Sequence, residues 1–514
     1  MIDHSLPLLI HCSGSDPNLS KGETAVLCGG RVISEWQPHK DAIVRAHIPN
    51  VESGLLWFRQ LFCNGKRMIR ARTPVEHLTI RGFTFTQTQV RFPTPQSYYK
   101  TPNAGQTLYM ENTQDCRAQD NHFIAVGGDA IRLQNQNARA VITGNHIYHA
   151  GAYGIFVGAL QTGFSRHDTS SGDVPSPTEW HRDLFDRETV VRAWPVSAEH
   201  LIHNNHIHHV GVYEKHANGI AFYGVSAVDV RVSHNHIHHT PRFGIGLMSG
   251  FGRVVIEYNY LHDISLETAD TGAITANRWY TYDQDERLAR GNIVRFNRIR
   301  DCIGCGSYGK RQEPGGGGRD NDRIWLPYYS WAIYFDNAPM RVAVYGNICI
   351  GNTLGGIMIS HFCQHVSIEN NIFVNSDKSQ VYLLLQGEMR DVRLSRNIFY
   401  YTNPDAEFLR LNMGKQANLH QVIAECNHNV IHHTSGKDPA FDGVLGEAAA
   451  RAGMSETTRP DWDQWRQMGF DTESILDDPK FVDPEAGNFA LQPDSPALKM
   501  GFKPIDAQRI GCRG

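Results

Sequence analysis

Two aspartates stand where a short apolar strand meets inserted polar and aromatic sequence. Asp270 precedes Thr271-Gly-Ala-Ile-Thr, and Asp336 closes Trp331-Ala-Ile-Tyr-Phe. Setting Ile274 against Ile333 puts the two strands side by side, about 4.8 Å apart in one sheet. Two carboxyls across a groove can cleave a glycosidic bond. One, protonated, gives its proton to the leaving oxygen; the other attacks the sugar carbon or activates water. A carboxyl separation of about 5–5.5 Å goes with retention of configuration, and one of about 6.5–9.5 Å with inversion. Glu267 and Asp263 lie in the same inserted corner and rival Asp270. Aspartates in such places also cap turns by accepting from backbone amides, and residue pattern alone leaves both readings open. Lys215, His216 and His361 lie near strand ends and loop bases, where sugar contacts are made. Trp279, Tyr280, Trp325, Tyr328 and Trp331 offer rings to stack on a sugar, and Tyr334 lies within the second strand. Packing of loops against the body of the protein is the alternative for each ring.

Other chemistries have weaker support. There are 27 histidines, and His206-Ile-His208-His209 and His236-Ile-His238-His239 resemble ligand clusters. They recur at one phase of a repeat, so a stacked outer row explains them without a metal, and no HExxH spacing occurs. Cys302-x-x-Cys305 has no second half, which favours buried small residues over zinc or redox chemistry. Gly315-Gly-Gly-Gly318 lacks the Lys-Ser/Thr context of a phosphate loop and reads as a flexible hinge. No cofactor is implied.

The elements that must hold these residues are announced by an asparagine. It recurs as Asn121-His-Phe, Asn145-His-Ile, Asn205-His-Ile, Asn235-His-Ile, Asn259-Tyr-Leu, Asn297-Arg-Ile, Asn347-Ile-Cys, Asn371-Ile-Phe and Asn397-Ile-Phe. The steps after Asn121, Asn235, Asn347 and Asn371 are 24, 24, 24 and 26 residues. Such a period marks a solenoid in which each repeat is one coil. Short strands follow many of the asparagines, as in Gly154-Ile-Phe-Val157, Gly244-Ile-Gly-Leu247 and Gly356-Ile-Met-Ile359. Asparagine tolerates the left-handed backbone of a tight corner, and stacked asparagines can bond from coil to coil. The expected fold is all-β: a right-handed parallel β-helix.

Three intervals are stretched to 60, 38 and 50 residues. Their excess falls at 160–196, at 265–270 with 277–288, and at 306–330. Insertions in a solenoid become loops on one face, commonly the binding face. Residues 1–76 lack the period and read as a β-region with an antiparallel insertion packed on the first coils, Asn64-Gly65 being a hairpin turn. The solenoid is expected over 77–433. Residues 434–514 read as a helical and extended tail over the last coil, helical from Pro439 to Met454 and again around Trp462 and Trp465.

Lys plus Arg number 49 against 53 Asp plus Glu, and no basic stripe marks a nucleic-acid binder. No apolar run reaches membrane-spanning length, and no signal peptide is read at the amino terminus. The sequence sets no oligomeric state.

With these residues assembled, the chain resembles the right-handed parallel β-helix glycoside hydrolases, specifically the group around glycoside hydrolase family 141. The likeness rests on Phe58-Arg-Gln-Leu-Phe-Cys-Asn-Gly-Lys-Arg-Met-Ile-Arg-Ala-Arg72, Asp270-Thr-Gly-Ala-Ile and Ala332-Ile-Tyr-Phe-Asp336. It rests also on the closing segment from Asp477-Asp-Pro-Lys-Phe to Asp506. The resemblance implies catalytic roles for Asp270 and Asp336 and a carbohydrate substrate in plant or microbial polysaccharide. Fucosidase and xylanase activities both occur among such relatives, and an extracellular or periplasmic location is implied. A polysaccharide lyase or epimerase on the same scaffold is the alternative, with Lys215, Lys310 or Arg311 neutralising a uronate. A non-catalytic carbohydrate-binding β-helix is the third reading.

Overall fold

The structure is a computed structural model that describes four short strands before residue 73 and then 75–88, 105–158, 196–223, 226–248, 251–277, 291–306, 324–336, 340–360, 363–385, 389–413, 418–444 and 459–513. The chain divides into two compact units, Met1–Thr73 and Pro74–Gly514. In the first, Gln37–Lys40 pairs antiparallel with Ile43–Arg45, and Phe62–Cys63 with Lys66–Arg67. Asn64 and Gly65, between the latter two strands, lie outside the described residues.

The second unit is a parallel β-helix. Three long sheets of eleven, eleven and twelve strands run its length, and each coil contributes one strand to each. The first sheet runs from Gln106–Glu111 to Phe441–Val444, the second from Thr79–Arg81 to Ile423–Asn427, the third from Thr84–Thr86 to Ile475–Leu476. Inward-facing Val, Ile, Leu and Phe build one continuous core, including Ile131, Ile155, Ile220, Ile245, Ile274, Ile333 and Ile357. The expected strands 154–157, 244–247 and 356–359 all fall in the first sheet. Among the described residues no helix is long and apolar enough to cross a membrane.

The asparagines form a ladder, as expected. Each Oδ1 accepts from both the backbone N–H and the side-chain amide of the asparagine one coil earlier, for example at 3.0 and 2.9 Å from Asn235 to Asn259. Each amide also donates to a carbonyl of the preceding coil, as Asn259 Nδ2 does to Val232 O at 3.0 Å. All are buried, so every polar atom removed from water has a partner. The left-handed corner, however, is not the asparagine. It is the residue before it: Asp120, Asn204, His234, Tyr258, Phe296, Asn370, Arg396 and His428 all have φ of 53–58°. An asparagine in that conformation would turn its amide away from the stack, so the strain passes to its neighbour.

The ladder reaches Asn429 and ends on the tail. Asn429 donates its backbone N–H to Ser474 Oγ at 2.9 Å and its amide to Asp471 Oδ1 at 2.9 Å. Asp471 is itself held by the Trp465 indole N–H at 2.8 Å. Trp465 lies on the expected short helix Trp462–Gln467, whose buried face carries both tryptophans. Phe441–Val444 is a strand rather than the start of a helix, because Phe441 fills the core position after Leu409. Beyond Ile475 the chain runs back along the third sheet. Phe481, Phe489 and Phe502 cover Ile348, Ile372 and Ile398. Lys503 N–H donates to Asn370 Oδ1, Gly511 N–H to Tyr258 O and Arg513 N–H to Asn204 Oδ1. The tail both closes the last coil and straps earlier ones.

Candidate active site

The strands Thr271–Asn277 and Ser330–Asp336 are neighbours in the first sheet, with Ile274 opposite Ile333 and Asn277 opposite Asp336. Ala273 and Ile274 are both buried in the core, so strict alternation breaks there and the strand bends. Thr275 Oγ1 donates back to Gly272 O at 3.2 Å across the bend. A Cβ on Gly272 would lie 2.7 Å from Tyr334 Cβ. The missing side chain therefore leaves room for Tyr334 to lean toward the start of the preceding strand.

There the Tyr334 hydroxyl donates to Asp270 Oδ1 at 3.0 Å. Asp270 is exposed, in the left-handed region at φ 55°, with its backbone N–H bonded to Tyr329 O at 2.9 Å. The Arg242 guanidinium donates to the carbonyls of Ala269 and Asp270 at 3.3 and 3.1 Å and braces this corner from below. Asp336 is half-buried at the far end of the next strand. Its Oδ2 accepts from Asn277 Nδ2 at 3.0 Å, and its Oδ1 from Ser360 Oγ at 2.8 Å. Burial pushes the Tyr334 phenol well above its usual pKa, and the charges of Asp336 and Asp270 push it further. The Tyr334 phenol is thus bonded to the carboxyl of the preceding coil and feels the charge of Asp336 on its own strand.

Other expected site residues are distributed unevenly. Lys215 and Glu267 meet as an ion pair at 2.9 Å, which ties the 213–216 corner to the 265–270 corner. His216 is held at a pKa of about 4 by burial and, secondarily, by Arg242. Trp331 is fully buried, packed against Tyr329, Tyr334 and Tyr382 at centroid distances of 4.8, 4.9 and 5.9 Å. Its expected role as a sugar platform is corrected accordingly: the ring is a wall of the site. The exposed aromatic is Trp325, in the lip Ile324-Trp325-Leu326, tied to Gly306 by two backbone bonds. Gly306 lies against Ala269, so this lip adjoins Asp270. Trp279 and His361 lie outside the described residues, as do 159–195, 278–290 and 307–323 of the insertions.

Asn277, Ser360 and Arg242 were missed. The first two could have been found by extending the Ile274–Ile333–Ile357 alignment three residues, which reads Asn277, Asp336, Ser360 as one column. Arg242 left no sequence signal. Among the described residues no metal-ligand group forms around either aspartate; those that do form are histidines of the third sheet. Cys302 is buried and its thiol is pushed up to about 12 by that burial, which suits packing rather than redox chemistry.

No family model matches the chain, and no curated protein matches it. Solved structures with a partial likeness include the catalytic unit of a glycoside hydrolase family 87 α-1,3-glucanase from Streptomyces thermodiastaticus. It is 11% identical over 73% of this chain and 56% of that one, with a TM-score of 0.44. The family 136 lacto-N-biosidase from Eubacterium ramulus is 12% identical over 64% and 56%, with a TM-score of 0.37. XylC in complex with xylose is 15% identical over 66% and 54%, with a TM-score of 0.40. The chain spans a little over half the length of each.

Proposed function

We propose that the chain is a glycoside hydrolase of the kind represented by family 141, cleaving fucosyl or xylosyl linkages in polysaccharide outside the cytoplasm. The observation that carries this is the Asp270–Tyr334–Asp336 arrangement: two carboxyls on adjacent coils, in unlike surroundings, one bonded to the Tyr334 phenol and the other on the phenol's own strand. Asp336 accepts from two neutral donors, and such bonds favour the ionised carboxylate that a nucleophile or general base requires. Asp270, held by Tyr334 beside an exposed lip, supplies the second carboxyl that glycoside hydrolysis requires. Tyr334 holds Asp270 in place, and Trp325 on the adjoining lip offers a face for a sugar ring. Lys215 is committed to Glu267, which leaves it poorly placed to neutralise a uronate for lyase chemistry. The test is a panel of fucosylated and xylosylated glycans assayed for reducing-end release. Wild-type protein is expected to turn over at least one of them, and Asp270→Asn and Asp336→Asn each to lose about 10²–10⁴-fold in kcat. Full activity in both variants, or an ultraviolet-absorbing unsaturated product, would sink the assignment.

A further inference from the structure

On the outer face of the third sheet, histidines stack in register over five coils. One column is His122, His146, His206, His236; the next is Tyr148, His208, His238, His262; a third, at the corner, is His149, His209, His239. Ring centroids sit 4.7 Å apart from His146 to His206, His206 to His236, His208 to His238 and His238 to His262. The sheet spacing itself holds the rings, so their positions are set before any ligand arrives.

The nitrogens also converge between columns. His146 and His208 approach Nε2 to Nε2 at 3.0 Å, His206 and His238 at 3.0 Å, His236 and His262 at 2.8 Å. His208 and His238 each turn Nδ1 to the Nδ1 of the next residue, His209 and His239, at 2.8 and 2.7 Å. Two imidazoles on one tetrahedral ion, each bound at about 2.0–2.1 Å, would set their nitrogens about 3.3 Å apart. The pairs, at 2.7–3.0 Å, would open by about 0.3–0.6 Å to reach that spacing. On binding, the ion would take the place of the N–H···N contact, and the ring that now donates would carry its proton on its other nitrogen, so that two neutral imidazoles each offer one lone pair and keep one N–H.

Four sets of three histidines bring one ligand atom each within 4.8 Å of the others: 146/206/208, 206/236/238, 208/209/238 and 238/239/262. We propose that this ladder is a binding site for a borderline transition-metal dication such as Zn²⁺, and that one chain takes two ions. The number follows from shared members. His238 belongs to three of the four sets, and the remaining set, 146/206/208, shares a residue with every other except 238/239/262. Only that pair of sets can be filled at once. The second of them is braced as metal-bound histidines are: His262 Nδ1 donates to Asp263 Oδ2 at 2.6 Å, which leaves Nε2 for an ion. All-imidazole donors suit Zn²⁺, Ni²⁺ or Cu²⁺ and disfavour Ca²⁺ and Mg²⁺. His122, His149 and His209 are exposed and the other histidines are half-buried, so ions can reach the row from solvent.

The test is calorimetric titration of the chelator-stripped full chain with ZnCl₂, with bound metal checked by elemental analysis. The expected result is two ions for wild type and one each for His146→Gln and His262→Gln. The His146→Gln/His238→Gln double variant should bind none, while keeping the wild-type far-ultraviolet spectrum. Wild-type protein that binds no Zn²⁺ at saturation, or binds a number other than two, overturns the proposal. So does a double variant that binds as wild type does.

Discussion

The inner corner and the outer face of the same coils follow opposite rules. Along the corner one residue type repeats from Asn121 to Asn429, and from Asn121 to Asn397 each donates to the next asparagine in the same way. Along the outer face of the first sheet no residue type is kept. The column at Tyr334 reads Tyr109, Arg132, Phe156, Ala221, Gly246, Thr275, Tyr334, Met358, Tyr382, Arg410. In a stack whose coils differ little in backbone, uniformity marks what every coil needs to stay folded. Departure from uniformity marks what one coil does that the others do not. Near the amino end this face is closed by the buried ion pair of Arg132 with Asp129 at 2.7 Å. Among the described residues, the exposed lip 324–326 adjoins this face at Asp270, one coil before Asp336.

The sharpest way to break this contrast is to remove one rung. Asn259→Ala strips the acceptor from two Asn235 donors and takes from Asn297 Oδ1 its side-chain donor, leaving it the backbone N–H of residue 259. The expected loss is about 3 kcal/mol or more in denaturant unfolding, with activity per folded molecule unchanged. A loss in activity without a loss in stability would show that corner and face are not separable. A second probe is pH. His200, buried in a corner, accepts from Ala140 N–H at Nδ1 (3.1 Å) and is held at a pKa of about 4 by burial. Its folded pKa lies below the unfolded value of about 6.5, so the unfolded chain takes up the proton first as pH falls. Its contribution is constant above about pH 6.5 and lost between there and about pH 4, by up to about 3 kcal/mol. Unfolding curves across that window should flatten by this share in His200→Gln. The smallest effect belongs to Tyr334→Phe. Losing one bond to Asp270 is expected to lower kcat about ten-fold and leave thermal stability close to wild type. An unchanged kcat would mean that Asp270 needs no positioning.

Much of this was legible in the residues. The asparagine steps disclosed the coil, and setting Ile274 against Ile333 disclosed the register of the two strands, though not the Asn277 and Ser360 that this register brings to Asp336. The histidine row was visible as a row. Its nitrogen-to-nitrogen contacts were not, since they run diagonally between columns on different coils. The left-handed corner was misread because the strained residue takes many identities while its neighbour takes one. Phe441–Val444 was hidden by the alanine-rich stretch after it. The bond from Tyr334 to Asp270 depends on a bend at Gly272, and a lone glycine in a strand does not say which way the strand turns.

The most direct measurement is kcat and thermal midpoint for Asp336→Asn beside wild type, on whichever glycan of the panel is cleaved. We predict a loss of about 10²–10⁴-fold in kcat with a midpoint close to wild type. A variant that cleaves as fast as wild type would contradict the assignment of this face to catalysis.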